Sequence, residues 1–280
     1  MPSARNLFVW AALAVCFGML RPDVADLTPP GGRMHALPAR TLWVWERPEN
    51  LSSLDPRETA IATLDRTLVL GHGVAAFIPR RQSYLYPAGT TRIAVVRIEA
   101  PGAIDTALEP EAADLILDVL TPSPAALQID FDARRSQREF YTALLHDLRR
   151  RMPAGMPLSI TALASWCSND DWIGRLPVDE AVPMLFRMEP DRRFAPPDLP
   201  WFRIREPLCE GSVGISTHEP SPVSAAGKRV YIFADRGWRN DLPLVAQALP
   251  PGGTAEVAPF RNLSRKAIAP QPAQTQRTQP

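Results

Sequence analysis

The stretch LQIDFD, residues 127–132, decides the fold. As a strand it puts Leu127, Ile129 and Phe131 on one face and Gln128, Asp130 and Asp132 on the other. An apolar face suits packing under helices, and a face with two carboxylates suits the inside of a barrel, with Asp132 near the strand's carboxyl end, where barrel proteins carry their sites.

Seven further short runs, rich in β-branched or aromatic residues and bounded by Gly, Pro or charge, have the same character. They are LWVWE (42–46), GVAAFIP (73–79), RIAVVRIE (92–99), LSITALAS (158–165), AVPMLFRM (181–188), SVGISTH (212–218) and RVYIFAD (229–235). Amphipathic helical spacing separates several of them: Ile61, Leu64 and Leu68 within 56–70; Ala112, Leu115, Ile116 and Val119 within 109–120; Phe140, Tyr141, Leu144, Leu145 and Leu148 within 137–151. Ser136 and Glu139 have capping-box spacing at the start of the last of these. Strand and helix in alternation predict a mostly parallel α/β sheet. Eight strands in about 200 residues predict a (β/α)8 TIM-barrel-like domain over residues 41–260. The barrel is expected to be degenerate in its later units, with only a short helix around 170–176 and no room for one between the last two strands. An open doubly wound sheet is the rival arrangement.

Outside this body the chain changes character. Arg5, the apolar run from Leu7 to Leu20, and Arg21 with Pro22 have the charge order of an export signal within residues 1–25. The run is short for a membrane span, and an uncleaved anchor is the alternative to a cleaved signal. Residues 26–40, with Pro29, Pro30, Gly31 and Gly32, read as a linker, and 261–280 as a polar, disordered tail. The expected location is therefore periplasmic or extracellular, with the membrane contacted only through the N-terminal segment. In an exported chain Cys167 and Cys209 invite a disulfide, because they follow the fifth strand and precede the seventh on loops that can meet; two buried thiols are the alternative.

Charge excludes one large class of partner. With 31 basic against 30 acidic residues there is no excess to attract a nucleic acid. Four histidines without ligand spacing point to no metal, and no phosphate loop, nucleophile elbow or cofactor motif is present.

What remains is a set of polar strand ends. Arg97 and Glu99 share a face of the third run, and Arg97 is placed to pair with Asp130 on the neighbouring strand. Glu46, Arg187, His218, Glu219 and Asp235 recur after other strands, on the side where parallel α/β proteins bind ligands. Trp166 and Trp238 follow the fifth and eighth strands, where exposed rings would stack on sugar faces; Trp43 and Trp45 read as core. The bland alternative is that Asp130 and Asp132 pair with neighbouring arginines and cap a loop.

The runs LQIDFDARRSQREFYTALLHDLRR, LSITALASWC and DEAVPMLFRM resemble an uncharacterised family of exported bacterial proteins, domain of unknown function 3142. The resemblance implies the barrel and export, and no activity. QIDFD also resembles, distantly, the aspartate-alternating strand of chitinase-type glycosidases, in which an acid follows the last aspartate by two residues; here that position is Arg134. The likeness implies a glycoside hydrolase-like enzyme acting on an extracellular or envelope polysaccharide. Asp130 and Asp132 would face an oxocarbenium-like transition state, and a third carboxylate (Glu46, Glu99, Glu219 or Asp235) would donate the proton. Arg134 implies the alternative, a carbohydrate-binding or scaffold protein without catalysis.

Overall fold

The computed structural model describes residues 32–186, 202–219 and 221–248. Its strands are β1 (Arg40–Val44), β2 (Glu49–Asn50), β3 (Thr59–Gly71), β4 (Val74–Pro79), β5 (Tyr84–Leu85), β6 (Arg92–Glu99), β7 (Ala126–Asp130), β8 (Leu158–Leu163), β9 (Glu180–Met184), β10 (Ser212–Ser216) and β11 (Arg229–Phe233). The helices are α1 (Glu109–Leu117), α2 (Arg138–Arg151), α3 (Ala164–Ser168) and α4 (Trp238–Ala248). Eight strands run parallel around a ring, β1-β3-β6-β7-β8-β9-β10-β11, and β1 closes it by pairing with both β3 and β11. The closed barrel settles the choice against an open sheet.

Seven of the eight quoted runs supply barrel strands; the second barrel strand does not come from where the sequence places it. Residues 56–70, expected to be a helix, contain β3. Thr59 to Leu64 are buried without a break, Ala62 and Leu64 in the barrel and Ile61 in the outer layer. Burial on both faces erases the alternation that marks a strand, and leaves Ile61, Leu64 and Leu68 at a helix-like spacing. GVAAFIP instead forms β4, antiparallel to β3 across a two-residue turn in which His72 and Gly73 have φ of 53° and 73°. Positive φ at both turn positions matches the twist of a tight hairpin.

Helices therefore cover the middle of the barrel and not its beginning. The β1–β3 and β3–β6 connections contain no helix, while α1 and α2 follow β6 and β7. The later thinning is as expected: α3 and a short 3-10 turn, Trp172–Arg175, lie between β8 and β9, and among the described residues no helix joins β10 to β11. Gln137, and not the Ser136–Glu139 pair, closes the 3-10 turn Arg135–Gln137 that leads into α2: Gln137 Oε1 accepts from the Arg134 amide at 2.9 Å, and its Nε2 donates to the carbonyls of Ala100 and Gly102.

The amino end of the barrel is closed by residues expected in the linker. Gly32–Ala36 form a 3-10 turn that inserts Met34, followed by Leu37, into the inner apolar cluster with Trp43, Ile93, Val95 and Tyr231. Arg229 donates to the carbonyls of Met34, Leu37 and Pro38, so the plug is tied to β11. The export segment, the first part of the linker and the expected tail lie outside the described residues. Cys167 and Cys209 form the disulfide, with Cα atoms 5.8 Å apart. It closes a loop of 42 residues, for which the chain-entropy account gives about 4 kcal/mol.

Candidate functional site

Inside the barrel, polar groups form two tiers. The lower tier starts at Trp43, whose Nε1 donates to Gln128 Oε1 at 2.8 Å; Gln128 Nε2 donates to Ser159 Oγ, and Ser159 Oγ to Glu180 Oε1, both at 3.1 Å. Tyr231 Oη donates to the same Glu180 oxygen at 2.7 Å, and Arg229 Nε lies 3.3 Å from the other. Burial pushes the Glu180 carboxyl above its usual range, against the opposing pull of Arg229 and the hydroxyl donors.

The upper tier lies at the carboxyl ends of the strands. Register pairs Arg97 of β6 with Asp130 of β7, and Arg97 Nη1 donates to Asp130 Oδ2 at 3.1 Å, as the strand faces predict. Thr161 of β8 donates to Asp130 Oδ1 at 2.8 Å. Arg97 Nε also donates to Glu99 Oε1 at 3.1 Å, and its guanidinium stands 5.3 Å from the centre of the Trp45 ring. Burial raises the Asp130 carboxyl; the Arg97 charge and the Thr161 bond oppose this, and the charge of Asp132 adds to it.

Asp132 lies past the end of β7, where the Ala133 amide bonds back to the Phe131 carbonyl and turns the chain. Its side chain is exposed. Arg97, Glu99, Asp130, Asp132, Arg134 and Gln137 line one open pocket of about 420 Å³. The arrangement thus holds a mostly buried carboxyl with a raised pKa at the pocket wall next to an exposed one, with a third on the rim.

The other expected site residues are dispersed. Asp235 is at the same end of the barrel but lines a smaller cavity of about 100 Å³ with Trp45, Arg47, Phe186, Ser216 and Phe233. Glu46 accepts from the backbone amides of Arg81 and Gln82, and so anchors the chain after β4. His218 Nε2 lies 3.1 Å from Asp241 Oδ1 and 3.0 Å from Arg236 Nε. Burial acts to raise the Asp241 carboxyl, but bonds from Thr217, His218 and the Arg236 amide outweigh it and leave it below its usual range. Glu219 follows, partly buried. Arg187 lies outside the described residues.

Trp166 and Trp238 are corrections. Both are buried, at 2% and 0% exposure, so neither offers an exposed ring face for stacking, and Trp238 contributes only to the wall of a cavity it shares with Leu42, Leu54 and Leu242. Trp166 packs edge-on against Trp172 at 4.9 Å, and Trp238 Nε1 donates to the Trp43 carbonyl. A position after a strand does not say which way the next turn points the ring. Among the described residues, Trp45, read from the sequence as core, lines the Asp235 cavity together with Phe186 and Phe233. Thr161 was also missed, although alternation along LSITAL places it on the same face as Ser159.

Residues 89–187 match the model of a family described as Domain of unknown function (DUF3142), in agreement with the resemblance read from the sequence. No curated protein matches. Among solved structures, the chitinase domain of the spore coat protein CotE from Clostridium difficile is similar at 17% identity, over 53% of this chain and 50% of that one, with a TM-score of 0.37. The Bacillus cereus spore cortex-lytic enzyme SleL is similar at 16% identity, over 64% of this chain and 51% of that one, with a TM-score of 0.38. The chain spans about half the length of these two structures.

Proposed function

We propose that this chain is an exported glycoside hydrolase-like enzyme that acts on an extracellular or cell-envelope polysaccharide at the Asp130–Asp132 pocket. The observation that carries the proposal is the gathering of three carboxyl groups, Asp130, Asp132 and Glu99, in one open pocket, since glycoside cleavage needs a carboxylate and a proton donor side by side. Exposed Asp132 is the carboxyl group placed to face a developing oxocarbenium ion. Asp130, clamped by Arg97 and Thr161, orients the pair. Glu99 is the preferred proton donor among the four carboxylates considered, because it alone shares the pocket with both aspartates. Export is supported by the Cys167–Cys209 disulfide, a bond that oxidising compartments favour. Among the described residues no helix is long and apolar enough to cross a membrane.

Arg134 favours a second reading. It occupies the rim position where chitinase-type strands carry their acid, and its Nη1 donates to the Pro101 carbonyl. A barrel with a cation there and no other donor would bind a glycan without cutting it. Both readings are tested together by incubating purified protein with a panel of bacterial polysaccharides, and measuring new reducing ends alongside binding. Cleavage that disappears in Asp132→Asn supports the enzyme, whereas binding without any cleavage, unchanged in that variant, replaces it with the binding protein. Export is checked by fractionation: deletion of residues 1–25 should retain the protein in the cytosol.

A further inference from the structure

Of six exposed large hydrophobic side chains among the described residues, five fall between positions 74 and 86. Three belong to β4: Val74, Phe77 and Ile78, at 56%, 41% and 49% exposure. This strand pairs with β3 on one edge and ends the sheet order, so no strand among the described residues covers its other edge. Exposed edge strands are normally guarded by charge or shortness. Here Val74–Pro79 contains no charge, and Pro79 is its one guard.

The hairpin register shows what the open edge offers. Gly71 pairs with Val74 around a two-residue turn, so the backbone groups of Val74, Ala76 and Ile78 point toward β3. The Arg80 amide, which bonds to the Asp65 carbonyl of β3, continues that alternation. The N–H and C=O of Ala75 and Phe77, with the C=O of Pro79, therefore point outward.

We propose that this edge is a self-association surface, on which β4 of a second copy pairs antiparallel about a two-fold axis through Phe77. That register sets Phe77 opposite Phe77 of the second copy and Ala75 opposite its Pro79. The two phenylalanines exchange a pair of bonds, and each Ala75 N–H reaches a Pro79 carbonyl. Missing donors at Pro79 remove only the two reciprocal bonds. Charge is compatible as well: Arg80 faces Val74 and Arg81 faces Gly73, so no cation meets a cation across the axis, as like charges there would oppose pairing. The α1 side of the hairpin is already occupied, because Arg66 stacks over Phe77 at 4.3 Å and bonds to the Leu115 carbonyl. Pairing therefore proceeds in the plane of the sheet. Six residues a side fall well short of the roughly 20–30 of a stable interface, so the dimer is weak and concentration-dependent.

Sedimentation velocity of the full chain tests the assignment, from about 10 μM to about 1 mM, the range in which weak pairs form. The sedimentation coefficient should rise toward that of a dimer. Phe77→Glu, which places like charges on the axis, and Phe77→Lys should each sediment as monomer over the whole range, and an equimolar mixture of the two should recover the dimer. Circular dichroism identical to wild type shows that each variant is folded, as expected for an exposed side chain. Wild type that stays monomeric overturns the proposal, as does a dimer indifferent to both substitutions. Wild type that stays monomeric but co-sediments with phosphatidylglycerol vesicles assigns the patch to a lipid surface instead.

Discussion

Glu180 and Asp130 are two carboxylates in one barrel, and the comparison between them separates a structural group from a candidate functional one. Both are held above their usual range by burial, and both are served by an arginine and a hydroxyl. Glu180 is 5% exposed, bonded into the Trp43–Gln128–Ser159 layer and tied through Arg229 to the plug at the amino end. Asp130 opens onto a pocket that it shares with two further carboxylates. The cost of burying a charge is thus no sign of use by itself, since the deeper group has no access to a ligand. Access distinguishes them, and access depends on how far along the barrel axis a residue sits.

The largest expected effect breaks the lower tier. Glu180→Ala removes the acceptor of Tyr231 and Ser159 and the counter-charge of Arg229, and should cost about 3–5 kcal/mol in chemical denaturation. Asp130→Asn should cost no more than about 2 kcal/mol, because Arg97 keeps Glu99 and Thr161 keeps an oxygen to bond. Equal losses in the two variants would erase the distinction.

pH sharpens it further. A carboxyl whose pKa is raised by folding takes up a proton on folding, so its contribution is complete below the unfolded value and declines as pH climbs through the folded one. For Glu180 the ordinary value is 4.5, so wild type should lose stability relative to Glu180→Gln as pH rises above that point. Denaturation midpoints that move together from acid to neutral pH would contradict the raised state of this group. Asp241 works in the opposite sense: its depressed carboxyl contributes above its ordinary value of 3.8 and is lost as pH falls through the folded value. Asp241→Asn should therefore cost most at neutral pH and least in acid.

Smallest in stability is the rim. Glu99→Gln breaks a pair whose side chains are 34% and 55% exposed, and should change stability by less than about 1 kcal/mol while suppressing cleavage of a responsive polysaccharide. Cleavage that survives Glu99→Gln would transfer the donor role to another strand.

Much of this was legible along the chain. Alternation in RIAVVRIE and LQIDFD fixes which side chains face inward, and with parallel neighbours it also anticipates the Arg97–Asp130 pair. Period alone misled at Thr59–Leu64, because a segment buried on both faces carries no alternation for a local reading to detect. It also could not orient Trp166 or Trp238, whose rings are turned inward by the helices that carry them.

By itself, then, the sequence determined the class of fold and the inward face of the central strands, because these follow from side-chain period within short segments. Only the tertiary structure decided which segment became the second strand, that Gly32–Ala36 plugs the barrel, and that Glu180 lies sealed while Asp130 meets a pocket. Those outcomes depend on what packs above, below and across the ring, and such contacts come from residues far apart in the chain, which no local pattern records.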